Sequence, residues 1–491
     1  MVIKMRTSYL KPIHSYDGTF KNFVNELITN QNLSDSFKTV NDLTSCPIDG
    51  AYLTLSKIES LVILFHSPQG CSTSLWFLWG GAFSLKSIEA SASRKHAITL
   101  STNLNETDIV YGAEEKLKKA LLDIKEKYNP KYVAVLSSCC SGIIGENIES
   151  IVKEMSKTTD MNIGWLDTSG FKSWYWPNGY DYAHNFIVNN ILPDKEDVQK
   201  TKEKTINIIT YGNAAAVDEK ECERLICELG IKAFHPFEVP YTSIENLQKS
   251  ASSHLNFMMC KTYGFAFCEA MKKKYGMPYI QVSHPMSTYY TEKWIREIAA
   301  FFNIEEKGEA VILSEKKKTR KDLLEIKKQL GGKSVAISAG HDKVPALLSL
   351  VNELGLTVIY LGVLTYDNLS KDKFVEMEKQ LNYDFITLVN PQTYEELTVL
   401  NELKPDVYIG PAGLTPKVNE INIPALSVHF NDFIGSFFGF QGVINFGKYI
   451  LRGINTKGQI NYKNDSVYPN EKICGQDWFK KGVSICKKTH L

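Results

Sequence analysis

Four residues that could bind a metal each stand at or just beyond the end of a short apolar strand. Cys71 follows LVILFH and a turn, Cys139 follows YVAVLSS, Cys260 ends HLNFMMC, and His429 ends ALSVH. Ligands of open parallel sheets gather beyond the carboxyl ends of the strands, which is where these residues stand. Thiolates with one imidazole suit iron–sulfur chemistry or zinc, although zinc usually recruits a close Cys-x-x-Cys pair, which this sequence lacks. The positions suggest a long-range metal site, with scattered core cysteines as the alternative.

The other cysteines have ordinary explanations. Cys222, Cys227 and Cys268 fall inside predicted helices, and Cys474 and Cys486 fall in the C-terminal tail. Small thiols at such places are usually packing residues. Ten cysteines in 491 residues are too few for a disulfide scaffold, and the N-terminal segment has no apolar run typical of a secretory signal. We therefore expect reduced thiols and a cytoplasmic protein.

The elements that must position these residues follow one recurring pattern, a short apolar strand, a turn and an amphipathic helix. This pattern is typical of parallel sheets with crossover helices. The signals form three blocks, which predict three α/β domains over residues 1–200, 201–332 and 333–491. A charged, linker-like stretch ends the first block, and a basic helix stopped by Gly331 and Gly332 ends the second.

Composition excludes two classes of partner. Lys+Arg is 56 and Asp+Glu is 55, and this balance argues against a nucleic-acid binder with a broadly basic face. The longest charge-free apolar stretch near the C-terminus, residues 433–446, is too short to span a bilayer. We expect neither a nucleic-acid nor a membrane partner.

Four motifs occur in order: CPIDGA with Cys46, HSPQGC with Cys71, DIVYGAEEKL, and SSCCSGIIGENIES with Cys139. This series resembles the nitrogenase component 1 superfamily, in which three such cysteines per subunit bind half of an interfacial iron–sulfur cluster. The resemblance extends from about Cys46 to Tyr449. It implies that the three cysteines bind a P-cluster or a simpler [4Fe–4S] cluster, with Cys140 as a bystander.

Two further segments indicate the branch. LNFMMCKTYGFAFCEAMKKKYGMPYI resembles the alpha-subunit segment whose cysteine binds one end of the active-site cofactor, here Cys260. IPALSVHFNDFIGSFFGFQGVINF resembles the segment whose histidine binds the opposite end, here His429. Beta subunits and dark-operative tetrapyrrole reductases lack this pair, and the cofactor-assembly scaffold is not expected to keep the histidine. The resemblance thus favours a catalytic alpha-type subunit of three Rossmann-like domains, with metal clusters at the strand C-terminal ends between domains.

The segment SWYWPNGYDY departs from nitrogenase over the reactive face of the cofactor. An alignment without gaps from Gly170 puts Trp176 and Tyr180 where nitrogenase has a glutamine and a histidine. A tyrosine with an ordinary pKa of about 10 is a much weaker proton donor than a histidine. The aromatic side chains predict a larger or more apolar pocket, with core aromatics on an irregular loop as the alternative.

The residues that hold homocitrate in nitrogenase also differ. The position of its anchoring lysine is Gly413, and Lys417 is nearby but off register. An arginine-rich cofactor-contacting segment is replaced by SAGHDKVP, which leaves His341 and Lys343 as the cationic candidates. We therefore expect a homometallic iron–sulfur–carbide cofactor without homocitrate.

The predicted function is the alpha-type catalytic subunit of a nitrogenase-like reductase, which pairs with a beta-type subunit in an α2β2 heterotetramer. Electrons would come from an ATP-hydrolysing iron protein, since this chain has no Walker A motif. Methylthio-alkane reductases, which cleave C–S bonds of small substrates, are the branch that fits best. Trp176 would lie at the cofactor, with Tyr180 or His341 as proton donor. Two alternatives are a cofactor-assembly scaffold and a divergent dinitrogen-reducing nitrogenase.

Overall fold

A computed structural model describes residues 15–29, 46–73, 96–173, 175–210, 216–237, 241–428 and 434–456. Within these residues the protein has fourteen strands. In chain order they are β1 (Tyr16–Thr19), β2 (Val62–His66), β3 (Ile98–Ser101), β4 (Tyr132–Ser137), β5 (Asn162–Leu166), β6 (Thr205–Ile209), β7 (Lys232–Phe234), β8 (Leu255–Met258), β9 (Tyr279–Ile280), β10 (Ser334–Gly340), β11 (Thr357–Leu364), β12 (Ile386–Val389), β13 (Val407–Gly410) and β14 (Ala425–Ser427).

The described residues also form seventeen α-helices, most of which connect consecutive strands. They are Phe20–Thr29, Pro47–Leu55, Glu106–Tyr111, Glu114–Tyr128, Cys139–Ile144, Ile148–Thr159, Asn178–Phe186, Ala216–Glu228, Ile244–Lys249, Lys261–Tyr275, Thr288–Phe301, Glu305–Leu330, Val344–Glu353, Lys371–Gln380, Thr393–Leu403, Thr415–Glu420 and Gly439–Asn455. No helix in this described part is long and apolar enough to cross a membrane.

The chain divides into two compact units. The described residues of unit 1 lie within Thr44–Ala214 and Ile231–Gln281. Those of unit 2 lie within Leu10–Leu43, Ala215–Gly230 and Val282–Leu491.

The first sheet of unit 1 has the parallel order β3-β2-β4-β5. Every residue of β2 and β4 is buried, as expected for central strands covered by helices on both faces. The two strands are in register, with His66 opposite Ser137 at their carboxyl ends. Because both strands end at one edge of the sheet, the loops that carry Cys71 and Cys139 start side by side.

The second sheet of unit 1 has the parallel order β7-β6-β8-β9. Strand β8 is buried throughout and ends at Met258. Cys260 follows two residues later, with extended backbone, as the N-cap of helix Lys261–Tyr275. The cysteine thus lies just beyond a strand C-terminus, as predicted.

Unit 2 contains one six-stranded sheet of order β1-β12-β11-β10-β13-β14. All its pairs are parallel except the antiparallel pair of β1 with β12. The basic helix predicted from the sequence ends at Leu330, directly before Gly331. Strand β10 follows and leads to the segment SAGHDKVP.

The α/β fold class with parallel sheets is confirmed. The predicted strands over 131–138, 205–212, 334–340 and 357–363 all exist, because their apolar runs become the buried centres of the sheets. Each sheet falls within one predicted block, apart from the edge strand β1, which comes from the first block and joins the third sheet. The first two sheets lie in the same compact unit. The boundaries of the three predicted domains therefore stay predictions.

Candidate metal centre

Three cysteines predicted as cluster ligands lie at the start of helical segments in unit 1. Cys46 is the extended N-cap residue of helix Pro47–Leu55. Cys71 lies in a helical turn after β2, and Cys139 is the first residue of helix Cys139–Ile144. The hydroxyl of Ser138 accepts a hydrogen bond from the Ser141 N–H and so fixes the start of that helix.

Contacts at Gly170 connect two of these cysteines. A Cβ atom placed on Gly170 would lie 3.2 Å from the Cys139 Sγ and 3.8 Å from the Cys46 Cβ. Glycine therefore leaves space for the Cys139 thiol at a point where a larger residue would press on it. The structure brings Cys46 and Cys139 together, although they lie 93 positions apart in the chain.

The pKa of Cys71, the third predicted ligand, is affected by the other cysteines. The pKa of the Cys71 thiol is raised to about 11, first by burial and then by neighbouring thiolates. Those neighbours are, in decreasing order of effect, Cys46, Cys140 and Cys139. Burial likewise raises the pKa of Cys46, and Cys139 adds to the effect. We call Cys46, Cys71, Cys139 and Cys140 the thiol group.

The thiol group does not form a compact site for a single metal ion. All four cysteines are half-buried and free of disulfide bonds. Among the described residues, no three of their sulfur atoms lie within 4.8 Å of one another. Tetrahedral zinc, with Zn–S bonds of about 2.3 Å, would need sulfur atoms about 3.8 Å apart. An iron–sulfur cluster holds its thiolate ligands further apart than one ion does, so the lack of such a compact trio is compatible with a cluster.

A buried histidine–glutamate pair ties together the loops around the thiol group. The Nε2 of His66, at the end of β2, lies 2.7 Å from the Oε2 of Glu146, which follows helix Cys139–Ile144. The other Glu146 oxygen accepts a hydrogen bond from the Ala113 N–H, and the His66 Nδ1 lies 3.2 Å from the Thr102 hydroxyl. His66, Ala113 and Glu146 belong to three of the four sequence motifs. Nothing in the sequence predicts this pair, because no local pattern couples residues 80 positions apart.

An exposed apolar patch surrounds the thiol group. Val110, Tyr111, Ile143 and Phe171 are 72%, 85%, 65% and 72% exposed. Helix Glu106–Tyr111 contacts helix Cys139–Ile144, and Phe171 directly follows Gly170. Clustered exposed apolar side chains of this size are typical of protein–protein interfaces. We call these four residues the apolar patch.

The aromatic segment around Tyr180 packs inside unit 1. Tyr180, on helix Asn178–Phe186, is 1% exposed, and its ring centroid lies 5.2 Å from that of Trp176 and 4.9 Å from that of Tyr263. Tyr175 is equally buried, and Trp176 is half-buried against the same core. Tyr175 and Tyr180 are therefore core residues, which is the alternative to a pocket wall that the sequence left open.

Close backbone packing joins this aromatic helix to the segment that follows Cys46. A Cβ atom on Gly179 would lie 2.5 Å from the backbone nitrogen of Ala51 and even nearer to the Pro47 carbonyl oxygen. Helices Asn178–Phe186 and Pro47–Leu55 can therefore approach only because residue 179 has no side chain.

His341 lies fully buried after β10 in unit 2. Its Nδ1 is 2.9 Å from the Ser370 hydroxyl, and its Nε2 is 3.5 Å from the Asp367 carboxylate. Asp342, its neighbour, accepts hydrogen bonds from the Ser370 hydroxyl and from Lys373. His341 thus belongs to a buried polar network that can hold a proton against a carboxylate.

The structure describes one of the two predicted cofactor ligands. Cys260 is half-buried and packs against the core of unit 1. His429 lies outside the described residues. Gly413 and Lys417, from the homocitrate comparison, are both exposed.

Comparison with known proteins decides the family. A model of the nitrogenase component 1 type oxidoreductases matches residues 46–455. The chain belongs to this family. The nitrogenase iron-molybdenum cofactor biosynthesis protein NifE of Methanococcus maripaludis strain S2 is 29% identical over 419 residues, which cover 84% of this chain and 83% of that protein. The nitrogenase molybdenum-iron protein alpha chain of Methanosarcina barkeri is 25% identical over 456 residues, covering 80% and 82%.

A solved structure described as nitrogenase Cp1 at pH 5 has the same fold. Its TM-score is 0.69 at 21% identity, over 92% of this chain and 96% of that one. Members of the component 1 family bind iron–sulfur clusters and are generally α2β2 tetramers that work with an iron protein. The predicted superfamily is confirmed, and with it an oxidoreductase-type subunit.

Proposed function

We propose that this chain is the iron–sulfur, alpha-type subunit of a cytoplasmic nitrogenase-like reductase that cleaves C–S bonds of small methylthio compounds. The observation that carries the proposal is the gathering of Cys46, Cys71 and Cys139 at one edge of unit 1. In this role the three thiols would hold a [4Fe–4S] cluster or a P-cluster, which would supply electron transfer from an ATP-hydrolysing iron protein.

The partner is a beta-type subunit in an α2β2 heterotetramer. The apolar patch supports this assignment, because four large side chains that are 65% to 85% exposed are stabilised by a covering protein surface. Their place beside the thiol group supports a subunit boundary next to the proposed cluster. The His66–Glu146 pair holds the surrounding loops in place when the partner binds.

The active-site cofactor is assigned to Cys260 and His429, without homocitrate. A half-buried thiol at the N-terminus of a helix suits such a ligand, since the helix dipole favours the thiolate. The bound cofactor would supply the metal sites at which substrate is reduced. Trp176 and Tyr180 contribute a dry aromatic wall within unit 1, and His341 can hold a proton opposite Asp367. Tyr180 is the second proton carrier in this assignment.

The proposed reaction consumes two electrons and two protons. A methylthio compound CH3–S–R is cleaved to methanethiol and the hydrocarbon R–H, and the reduced iron protein supplies both electrons. Trp176, which is half-buried against this core, would favour such an apolar substrate over a small polar one.

The test uses the complex of this chain with its beta-type subunit, purified without oxygen. Iron, molybdenum and vanadium are measured for wild type, Cys260→Ala and the control Cys227→Ala, which changes an exposed helical thiol. Methanethiol release from dimethyl sulfide is then followed with iron protein, ATP and a reductant. We expect Cys260→Ala to lose a large fraction of iron and all methanethiol release, while the control keeps both and all samples lack the heterometals. Unchanged iron in Cys260→Ala would contradict the cofactor assignment.

A cofactor-assembly scaffold is the second candidate, and the similarity to two Methanococcus maripaludis NifE proteins, at 29% and 28% identity, favours it. A scaffold must release its cofactor, whereas a reductase subunit must keep it. Incubation of the loaded complex with a cofactor-free nitrogenase component 1 protein separates the two. The reductase keeps its iron, and the scaffold transfers iron and activates the acceptor.

A further inference from the structure

Glu396 is a carboxylic acid enclosed in the core of unit 2. It lies on helix Thr393–Leu403, which contacts β11, and it is 2% exposed. The apolar core under this helix includes the rings of Tyr360 and Tyr408. Neither the family resemblance nor the proposed function gives this buried acid a role.

Hydroxyl groups from three neighbouring strands meet on one face of the unit 2 sheet. Tyr360 on β11 and Tyr408 on β13 both lie opposite Ala336 of the strand between them, β10, so their side chains share a face. A Cβ atom placed on Gly362 would lie 3.2 Å from the Tyr360 hydroxyl and nearer still to the Ser338 hydroxyl. Because residue 362 has no side chain, the two hydroxyls have room beside each other.

The Tyr408 hydroxyl connects this face of the sheet to the helix. It donates a hydrogen bond of 3.0 Å to the Oε1 of Glu396. A Cβ atom on Gly410 would collide with the same hydroxyl, so glycine at that position is also needed for the contact. We call Ser338, Tyr360, Glu396 and Tyr408 the Glu396 network.

The Glu396 network contains no positive charge. No Lys, Arg or His among the described residues acts on Glu396, and within the same part of the chain the Tyr360 hydroxyl has no hydrogen-bond partner. An uncompensated carboxylate in an apolar core is costly, so such a group keeps its proton. In agreement, burial raises the pKa of Glu396 to about 7, and the hydroxyls of Ser338 and Tyr408 oppose this only in part.

The other titratable groups around the network do not offset this effect. Burial raises the pKa of Tyr360 and Tyr408 well above the ordinary value, so both are neutral. Glu395 on the same helix and Asp17 on β1 are acids that raise the pKa of Tyr360 further, and they disfavour another negative charge here. Glu396 is thus the member of the network that ionises near neutral pH.

We propose that Glu396 is a pH-dependent switch: the neutral acid holds helix Thr393–Leu403 on the unit 2 sheet, and the ionised acid lets the two separate. On ionisation the proton passes to solvent, and the carboxylate left behind needs water that the closed core does not admit. Ser338 lies on β10 three residues before His341, so the separation also loosens the segment that carries this histidine. The switch goes beyond the proposed function and does not depend on it.

The direction of the effect follows from the two pKa values of Glu396. The folded pKa of about 7 lies above the ordinary value of 4.5. Stabilisation by the neutral acid is therefore complete below the ordinary value and is lost as the pH rises through the folded one. Acid should close the network, and alkali should open it.

Hydrogen-exchange mass spectrometry of the full chain at pH 5 and pH 9 tests the switch. Deuterium uptake is followed in peptides that cover β10 and β13. Wild type is compared with Glu396→Gln, which has nearly the same shape and no charge at either pH, and with the control Glu325→Gln, which changes an exposed acid of unit 2. Comparison at equal pH removes the change in intrinsic exchange rate.

We expect wild type and the control to exchange several-fold faster than Glu396→Gln at pH 9 and all three to exchange alike at pH 5. Equal uptake of wild type and Glu396→Gln at pH 9 would overturn the proposal. So would a difference between them of the same size at both pH values.

Tyr408→Phe decides the question if circular dichroism shows that Glu396→Gln does not fold. This variant removes a hydroxyl that stabilises the ionised carboxyl, so the folded pKa of Glu396 rises. Exchange of the β10 peptide, measured across the same pH range, should then reach its full acceleration at a higher pH than in wild type. An unchanged pH dependence in Tyr408→Phe would overturn the proposal.

Discussion

The thiol group and the aromatic segment around Tyr180 lie in the same unit but have opposite environments. The cysteines are half-buried beside an exposed apolar patch, whereas Tyr175 and Tyr180 are completely enclosed. A site that exchanges electrons with a partner must be near the surface, while a packed aromatic layer excludes water and fixes helix positions. The aromatic residues, which the sequence suggested as pocket walls, are therefore first a structural feature of unit 1.

The two regions are connected through one pair of helices. Helix Pro47–Leu55 begins after Cys46 and packs on helix Asn178–Phe186, which carries Tyr180. A change in the aromatic helix should therefore reach the thiol group. Substitutions in each region can test this connection and the difference between the two environments.

Gly179→Ala should have the largest effect on stability. Its Cβ would collide with backbone atoms of Pro47 and Ala51, which cannot rotate away as a side chain can. Overpacking of this kind costs about 1–3 kcal/mol or more, so the midpoint of chemical unfolding should fall clearly. Gly413→Ala, at an exposed position with open space around the added carbon, is the matched control. Equal midpoints for both variants would show that the helices are not in close contact.

Glu146→Ala should destabilise the loops around the thiol group nearly as much. The change leaves the Ala113 N–H and the buried His66 ring without their shared acceptor. Leaving buried hydrogen-bonding groups without a partner costs about 1–3 kcal/mol, which urea unfolding can measure. Glu146→Gln keeps a hydrogen-bond acceptor, so its free energy of unfolding should fall clearly less than that of Glu146→Ala. If both variants unfold like wild type, the pair does not hold the loops together.

Acid should weaken the thiol region through His66. Burial lowers the pKa of this histidine, and Glu146 only partly opposes the effect. Since the folded pKa lies below the unfolded value of about 6.5, the stabilisation by neutral His66 is complete above that pH. It is lost as the pH falls from there through the folded pKa. The urea concentration at the unfolding midpoint should change less between pH 7 and pH 5 in His66→Gln than in wild type. Equal changes in the two proteins would show that His66 is not the source of the acid sensitivity.

Ile143→Ser should have the smallest effect on the isolated chain. An exposed side chain contributes little to folding, so the free energy of unfolding should change by no more than about 0.5 kcal/mol. Binding to the beta-type subunit should weaken measurably, because the patch loses part of its apolar area. Titration of the purified subunits measures this affinity, with Leu313→Ser, a similarly exposed position on helix Glu305–Leu330 of unit 2, as control. Equal affinities would exclude the patch from the interface.

Much of the fold could be predicted from the sequence, because buried parallel strands are short apolar runs with clear ends. Cys71, Cys139 and Cys260 could be placed for the same reason, since a residue that follows such a run stands at the sheet edge, whereas Cys46 was indicated by the family motif. Tyr180 could not, because an aromatic residue in a core and one in a pocket wall have the same sequence pattern. The His66–Glu146 pair and the exposure of Tyr111 depend on tertiary contacts between distant segments, which no periodicity encodes.

The central claim is that the thiols of unit 1 bind an iron–sulfur cluster, and metal analysis of the anaerobically purified complex tests it most directly. Iron and acid-labile sulfide are measured for wild type, Cys139→Ser and Cys227→Ser. The account predicts that Cys139→Ser loses iron and sulfide in equal proportion, together with the EPR signal of the cluster, while Cys227→Ser matches wild type. Full iron and sulfide in Cys139→Ser would contradict the account.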